Sequence, residues 1–156
     1  MVNVYSQLKG FPSPNEQPKY YQMLANIGDY CENQNVDLII ALSHDNEIAG
    51  GVVYINDMSN YGSGGTATTE KNASGFRLLA VDPQHRGRGI GKLLINKCIE
   101  KAIRNNHEQV IIHSTKAMTT AWSIYEKLGF KRFQDLDFMQ DQLAVFGFRL
   151  NLKKLK

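Results

Sequence analysis

No run of apolar residues in this chain approaches the length of a membrane span, so a bilayer-crossing helix is not expected. The start, Met1-Val2-Asn3-Val4-Tyr5, lacks the charged region, apolar core and small-residue cleavage site of a secretion signal. A cytoplasmic location is the default expectation. Cysteine is scarce: Cys31 and Cys98 stand far apart, with no CxxC pair and no metal-ligand spacing. Cys98 falls in the apolar stripe of a predicted helix, which favours two reduced thiols over a disulfide. The histidines, His44, His85, His107 and His113, are scattered, and no metal is expected. Charge of one sign is lacking too: 18 Lys and Arg against 15 Asp and Glu leave a net charge of +3. Part of that excess is Lys153, Lys154 and Lys156, which read as a solvated tail, so no nucleic-acid partner is expected. The other basic cluster, His85-Arg86-Gly87-Arg88 with Lys92, lies on a glycine-rich turn suited to a small phosphorylated ligand.

What remains is an ordinary globular composition, 42% hydrophobic and 21% charged, in 156 residues. That suits a single domain over residues 1–156. Pro12, Pro14 and Pro18 make residues 10–18 a loop. A helix is predicted over about 19–34, with Met23, Leu24, Ile27 and Tyr30 as its stripe. Strand-like runs come next at 37–43 and 48–55, joined by a hairpin turn at His44-Asp45-Asn46-Glu47. Gly50-Gly51 weakens the second run and marks a candidate bulge. Residues 56–74 are polar and without period, a connection of a length that is more often functional or disordered than idle. Gly75 opens a central strand through Val81, apolar on nearly both faces, which Asp82-Pro83 ends.

A helix over about 89–105 places Leu94, Ile95, Cys98, Ile99, Ala102 and Ile103 on one face. A short strand is expected at 110–113. A second helix starts near Thr119 or Thr120, either of which can cap it, and stops at Gly129. Runs at 130–133 and 144–152 close the chain as an antiparallel pair. The order is α+β, with a mixed sheet and a parallel step at its centre.

Gly87, Gly89 and Gly91 alternate between a strand and a helix start. Bare backbone there lets N–H groups approach an anion, and the helix terminus adds unpaired donors and partial positive charge. Arg86, Arg88 and Lys92 add more. Two familiar phosphate loops fail on spacing. A Walker loop needs Ser or Thr after Gly-Lys, but Leu93 follows Gly91-Lys92. A dinucleotide fingerprint needs GxGxxG, and the interval between Gly89 and Gly91 is wrong.

The run Arg86-Gly87-Arg88-Gly89-Ile90-Gly91 matches the RxxGxG signature of the GNAT N-acetyltransferase superfamily. The flanks resemble it as well: Leu78-Leu79-Ala80-Val81-Asp82-Pro83 before, Ile90-Gly91-Lys92-Leu93-Leu94 after. Residues 121–130, Ala-Trp-Ser-Ile-Tyr-Glu-Lys-Leu-Gly-Phe, are similar to its second signature. The resemblance implies a mixed, mostly antiparallel sheet with a V-shaped split between two parallel strands, flanked by helices. It implies acetyl-CoA as cosubstrate and a primary amine of a small molecule or peptide as acceptor. Backbone amides from Arg86, Gly87, Arg88, Gly89, Ile90 and Gly91, with Lys92 beside them, would hold the pyrophosphate. Leu79, Ala80 and Val81 would pair with the pantetheine arm. Tyr125 would stand near the thioester sulfur as a proton donor, although a packed helix aromatic accounts for it as well.

Two departures stand out. Met118 occupies a position where the family often has an asparagine. The usual first strand is absent, reduced to Val2-Asn3-Val4, or lost through an alternative start, with Met1 to Lys9 resembling the end of the first helix. An open sheet edge would invite a homodimer.

No motif fixes the base that deprotonates the amine. Candidates are His113, with an ordinary pKa of about 6.5, together with Glu70, Asp57, Asp135 and Asp137. Residues 135–141 would either line an acceptor pocket that likes a cationic amine, facing Tyr54, Asp57, Met58 and Tyr61, or form a loop packed on the core. A non-catalytic acyl-CoA sensor, an interaction domain, and an enzyme using another acyl donor remain alternatives.

Overall fold

The computed structural model describes residues 1–155. The chain opens with a short helix α1 (Val2–Ser6), so Val2-Asn3-Val4 is helical rather than a strand. Helix α2 (Pro18–Ala25) begins with Pro18 in its first turn, where the missing N–H costs nothing. The predicted helix over 19–34 breaks at Asn26. Its side-chain amide donates to the Gln22 carbonyl at 3.0 Å, and its backbone leaves the helical region. A 3-10 turn (Ile27–Glu32) completes the segment.

Strands β1 (Val36–Leu42) and β2 (Ile48–Ile55) form the expected hairpin. The Ser43 hydroxyl accepts from the amides of Asp45 and Glu47, and Asn46 takes the left-handed conformation. Residues 56–72 carry two 3-10 turns, Met58–Asn60 and Ala67–Thr69. Then come β3 (Ala73–Val81), α3 (Ile90–Arg104), β4 (Gln109–Ser114) and α4 (Thr119–Lys127). The predicted strand at 130–133 shrinks to β5 (Lys131–Arg132). A strand not foreseen, β6 (Phe138–Gln140), turns at Asp141 into β7 (Leu143–Asn151). The sheet runs β1-β2-β3-β4-β7-β5, with β6 paired to β7.

The sheet separates two apolar layers. Tyr5, Leu24, Val53, Ile55, Met58 and Tyr61 pack beneath α1 and α2. On the other face Val52, Tyr54, Phe76 and Phe148 pack against Leu94, Ile95 and Cys98 of α3 and Tyr125 of α4. Cys98 is buried and unpaired, Cys31 exposed and unpaired.

Two irregularities in β3 open the sheet at its centre. Its register with β2 jumps from Val53↔Arg77 to Gly51↔Ala80, so Leu78 and Leu79 together oppose Val52. The extra residue therefore sits on β3 opposite Val52, next to the glycine pair where the bulge was expected. Leu78 holds φ +57°, a left-handed conformation that costs a non-glycine residue about 1 kcal/mol. The parallel ladder between β3 and β4 covers only Ala73–Gly75 against Gln109–Ile111. Beyond Gly75 the two strands diverge, and the β3 edge facing β4 has no strand partner.

Candidate active site

A cavity of about 620 Å³ runs through this divergence. At one end is the glycine-rich turn. Gly87 and Gly89 hold φ +75° and +78°, and a Cβ at either would meet no atom within 4 Å. Both glycines are needed for backbone conformation and for an unobstructed outer face. Gly89 caps α3, and the first intrahelical bond runs from Leu93 N–H to the Gly89 carbonyl at 2.9 Å. The N–H groups of Ile90, Gly91 and Lys92 therefore have no helical acceptor and point out of the terminus. The side chains of His85, Arg86 and Lys92 border this end.

Leu79, Ala80 and Val81 form the middle of the cavity, opposite the start of α4. That helix is capped by Met118, whose side chain has no oxygen to offer, rather than by the expected threonines. Its first amides are likewise unsatisfied. Tyr125 projects from α4 into the same space. Its ring is wedged among Phe76, Phe130 and Phe148 at 5.8–6.2 Å between centroids. Burial raises the Tyr125 phenol above its ordinary pKa, so it keeps its proton near neutrality. Ser114 and Thr115, also lining the cavity, bury hydroxyls that have no hydrogen-bond partner among the described residues.

The far end is aromatic. Tyr5 packs edge-on against Phe11 and Tyr20, which are tilted against each other, with centroids 5.7–6.1 Å apart, and Tyr61 and Phe138 flank His113. The Tyr5 hydroxyl donates to the Leu79 carbonyl at 3.2 Å. His113 lies on β4 just past the last β3–β4 pair. Its Nε2 is 2.8 Å from the Leu136 carbonyl, which only accepts, so the proton resides on Nε2. Nδ1 then accepts from the Tyr61 hydroxyl at 3.2 Å. Burial is the main cause that lowers the His113 pKa, leaving the ring neutral.

The sequence model of the acetyltransferase (GNAT) family matches residues 2–130. This chain belongs to the GNAT acetyltransferase family. Among related proteins, an N-acetylaspartate synthetase of Xenopus tropicalis is 37% identical over 62 residues, 40% of this chain and 23% of that protein. An uncharacterized N-acetyltransferase of Dictyostelium discoideum is 35% identical over 50% of this chain and 36% of its own length. The match thus spans well under half of these relatives. A GNAT-family acetyltransferase structure from Staphylococcus aureus superposes with a TM-score of 0.65 at 21% identity, covering 90% of this chain and 80% of that one. A spermidine N-acetyltransferase mutant from Vibrio cholerae gives 0.62 at 16%, covering 86% and 76%. At these identities the likeness is one of fold.

Within this GNAT domain the sequence-derived residues divide into two groups. Leu79, Ala80, Val81, Arg86, Gly87, Gly89, Ile90, Gly91, Lys92, His113 and Tyr125 all border the one cavity. Arg88 is exposed and outside the lining. Glu70 is also outside it: both carboxylate oxygens accept from Arg149, at 2.7 and 2.8 Å, and this pairing is the main cause holding its pKa down.

The acidic wall expected at 135–141 does not form in the cavity. Asp135 pairs with Arg149, and Asp137 with Arg132 and the Gly147 amide. Asp57 caps its own turn through the Ser59 amide. Tyr54 packs on the opposite face of the sheet, and Met58 is core. Only the uncharged members of those segments, Tyr61, Phe138 and Gln140, reach the lining. Tyr5, Phe11, Tyr20, Arg77, Ser114 and Thr115 had no sequence signal, because the folding of α1 and α2 and the divergence of β4 bring them in.

Proposed function

We propose that this GNAT domain transfers an acetyl group from acetyl-CoA to a primary amine of a small molecule or peptide, by direct attack with both substrates bound. The observation that carries this reading is the continuity of one cavity from the amide-lined turn, past an unpaired strand edge, to a buried phenol that keeps its proton. The residues fit coenzyme A. Unsatisfied α3 amides with Arg86 and Lys92 suit the pyrophosphate, and the β3 edge offers main-chain partners to the pantetheine amides. Bound there, acetyl-CoA supplies an activated acyl carbon for the amine to attack.

The chain's own groups then move the protons. The Tyr61 oxygen takes a proton from the attacking amine while its hydroxyl proton passes to His113 Nδ1. The Leu136 carbonyl steadies the imidazolium through Nε2–H. Tyr125, kept protonated by its raised pKa, donates to the departing sulfur, and exchange with solvent then takes the proton from His113 and returns one to Tyr125. Named relatives acetylate acceptors of opposite charge, aspartate and spermidine. Family membership alone therefore leaves the acceptor open.

The test is thiol release from acetyl-CoA across an amine panel. Turnover abolished in Gly89→Trp, with kcat about a hundredfold lower in Tyr125→Phe, is the expected result. Tight coenzyme binding with no turnover on any amine would replace this reading with a non-catalytic acyl-CoA sensor, and faster turnover of a longer acyl thioester would replace the donor.

A further inference from the structure

The charges of the cavity speak to the acceptor. Among the described residues its lining includes Arg77, His85, Arg86, Lys92, His113 and Lys127, and no Asp or Glu. His85, Arg86 and Lys92 belong to the phosphate end. Arg77 belongs to the aromatic end: its Nη1 donates to the Tyr61 and Gly62 carbonyls at 2.8 and 3.0 Å, and its guanidinium lies 5.6 Å over the Tyr61 ring.

Arg77 differs from the other part-buried arginines. Arg132 is closed by Asp137, and Arg149 by Glu70 and Asp135. No ion pair among the described residues includes Arg77, and the acids nearest this end in sequence are committed elsewhere. Its Nη2 and Nε have no hydrogen-bond partner among the described residues, while the two carbonyls on Nη1 fix the plane of the fork. A guanidinium held this way is preorganised for a carboxylate, which it can grip through two parallel N–H groups. A polyamine would bring a second positive charge to a site with no carboxylate to receive it. The aromatic rings compensate an ammonium only weakly beside a fixed cation.

We infer that the acceptor is an amine that also carries a carboxylate, an amino acid or a close analogue, with the carboxylate seated on Arg77 and the amine directed toward Tyr61 and His113. The inference rests on the acetyltransferase reading for its chemistry, but its recognition half stands on Arg77.

The experiment compares kcat/KM for matched acceptors, α- to ω-amino acids against their primary amides and against diamines of similar length. Thiol release is read in wild type, Arg77→Gln and Arg77→Lys. The wild type is expected to favour the acid over its amide by about tenfold or more, as a bidentate charge-assisted pair would. In Arg77→Gln the ratio falls toward one, and in Arg77→Lys it lies between. Thermal melts identify any variant that fails to fold, and Arg77→Lys, which keeps the charge near the Tyr61 and Gly62 carbonyls, then carries the test. A wild type that prefers amides or diamines, or a ratio that Arg77→Gln and Arg77→Lys leave intact, overturns the inference.

If no amine is acetylated, the transferase reading fails separately. Calorimetric binding of the same acids and amides to the protein–coenzyme A complex then decides the role of Arg77. Acids that bind no better than their amides, or an acid preference that survives in Arg77→Gln, would refute it.

Discussion

Gly50 and Gly51 are neighbours on β2, yet alanine at the two positions should shift stability in opposite directions. A Cβ at Gly50 would lie 2.8 Å from the Ala80 carbonyl oxygen, 3.1 Å from Ile90 Cγ2 and 3.3 Å from Leu94 Cδ1. The first contact is with backbone, which cannot swing aside, and the other two are with the start of α3. Forcing a methyl group into such a site costs about 1–3 kcal/mol. For a chain of this size that corresponds to a melting temperature lower by roughly 2–10 °C.

At Gly51 the added Cβ would meet only the Ile39 carbonyl at 3.4 Å and the flexible end of Met1 at 3.7 Å. Those are ordinary contacts, and alanine restricts the unfolded chain, so Gly51→Ala should be neutral or stabilising by up to about 1 kcal/mol. The functional consequence comes from register. Gly50 is paired with Val81, and the residues it would push, Ala80 and Ile90, border the middle and phosphate end of the cavity. Gly50→Ala should therefore also raise the KM for acetyl-CoA, while Gly51→Ala should not. Paired thermal melts and initial-rate kinetics are sufficient. Equal stabilities for the two variants, or a destabilised Gly51→Ala beside an unaffected Gly50→Ala, would refute the packing argument.

Gly89→Ala should lose about 1 kcal/mol, the cost of a side chain at its positive φ, and weaken coenzyme A binding in calorimetry more than it weakens the fold, since its Cβ meets only space that the ligand would fill. With His113 as the proposed base and its pKa lowered by burial, the acid limb of kcat should fall below pH 6.5 and be lost in His113→Phe. The same shift has a stability consequence: below about pH 6.5 the unfolded chain binds a proton that the native ring resists. Urea midpoints should therefore drop on acidification, until the pH reaches the folded value, by more in wild type than in His113→Phe. Glu70→Gln should cost about 1–3 kcal/mol by removing one of the two carboxylates paired with Arg149, yet leave kcat unchanged; a large loss of kcat in a folded variant would return Glu70 to the candidate bases.

The glycine-rich end of the cavity was legible in the sequence because its requirements are local. Positive φ at Gly87 and Gly89, free amides at a helix start and the preceding strand all lie within residues 78–92, where residue type and spacing express them directly. Tyr125 was legible through a second contiguous signature, although its burial against Phe76 and Phe148 was not. The aromatic end depends on long-range placement. Tyr5 and Tyr20 reach it through the docking of α1 and α2, Arg77 through its face of β3, and His113 through the divergence of β4. None of these carries a local pattern.

The acidic residues near that end misled for a related reason. Composition showed Asp135, Asp137 and Glu70, but not the arginines 132 and 149 that β5 and β7 bring against them. Once those pairs close, the carboxylates are spent on the fold, and Arg77 at the aromatic end has no ion-pair partner among the described residues. The acidic wall expected for a cationic amine is thus consumed by the pairing of a few charged side chains, and the carboxylate-bearing acceptor proposed above follows from contacts that counting the charges along the chain does not contain.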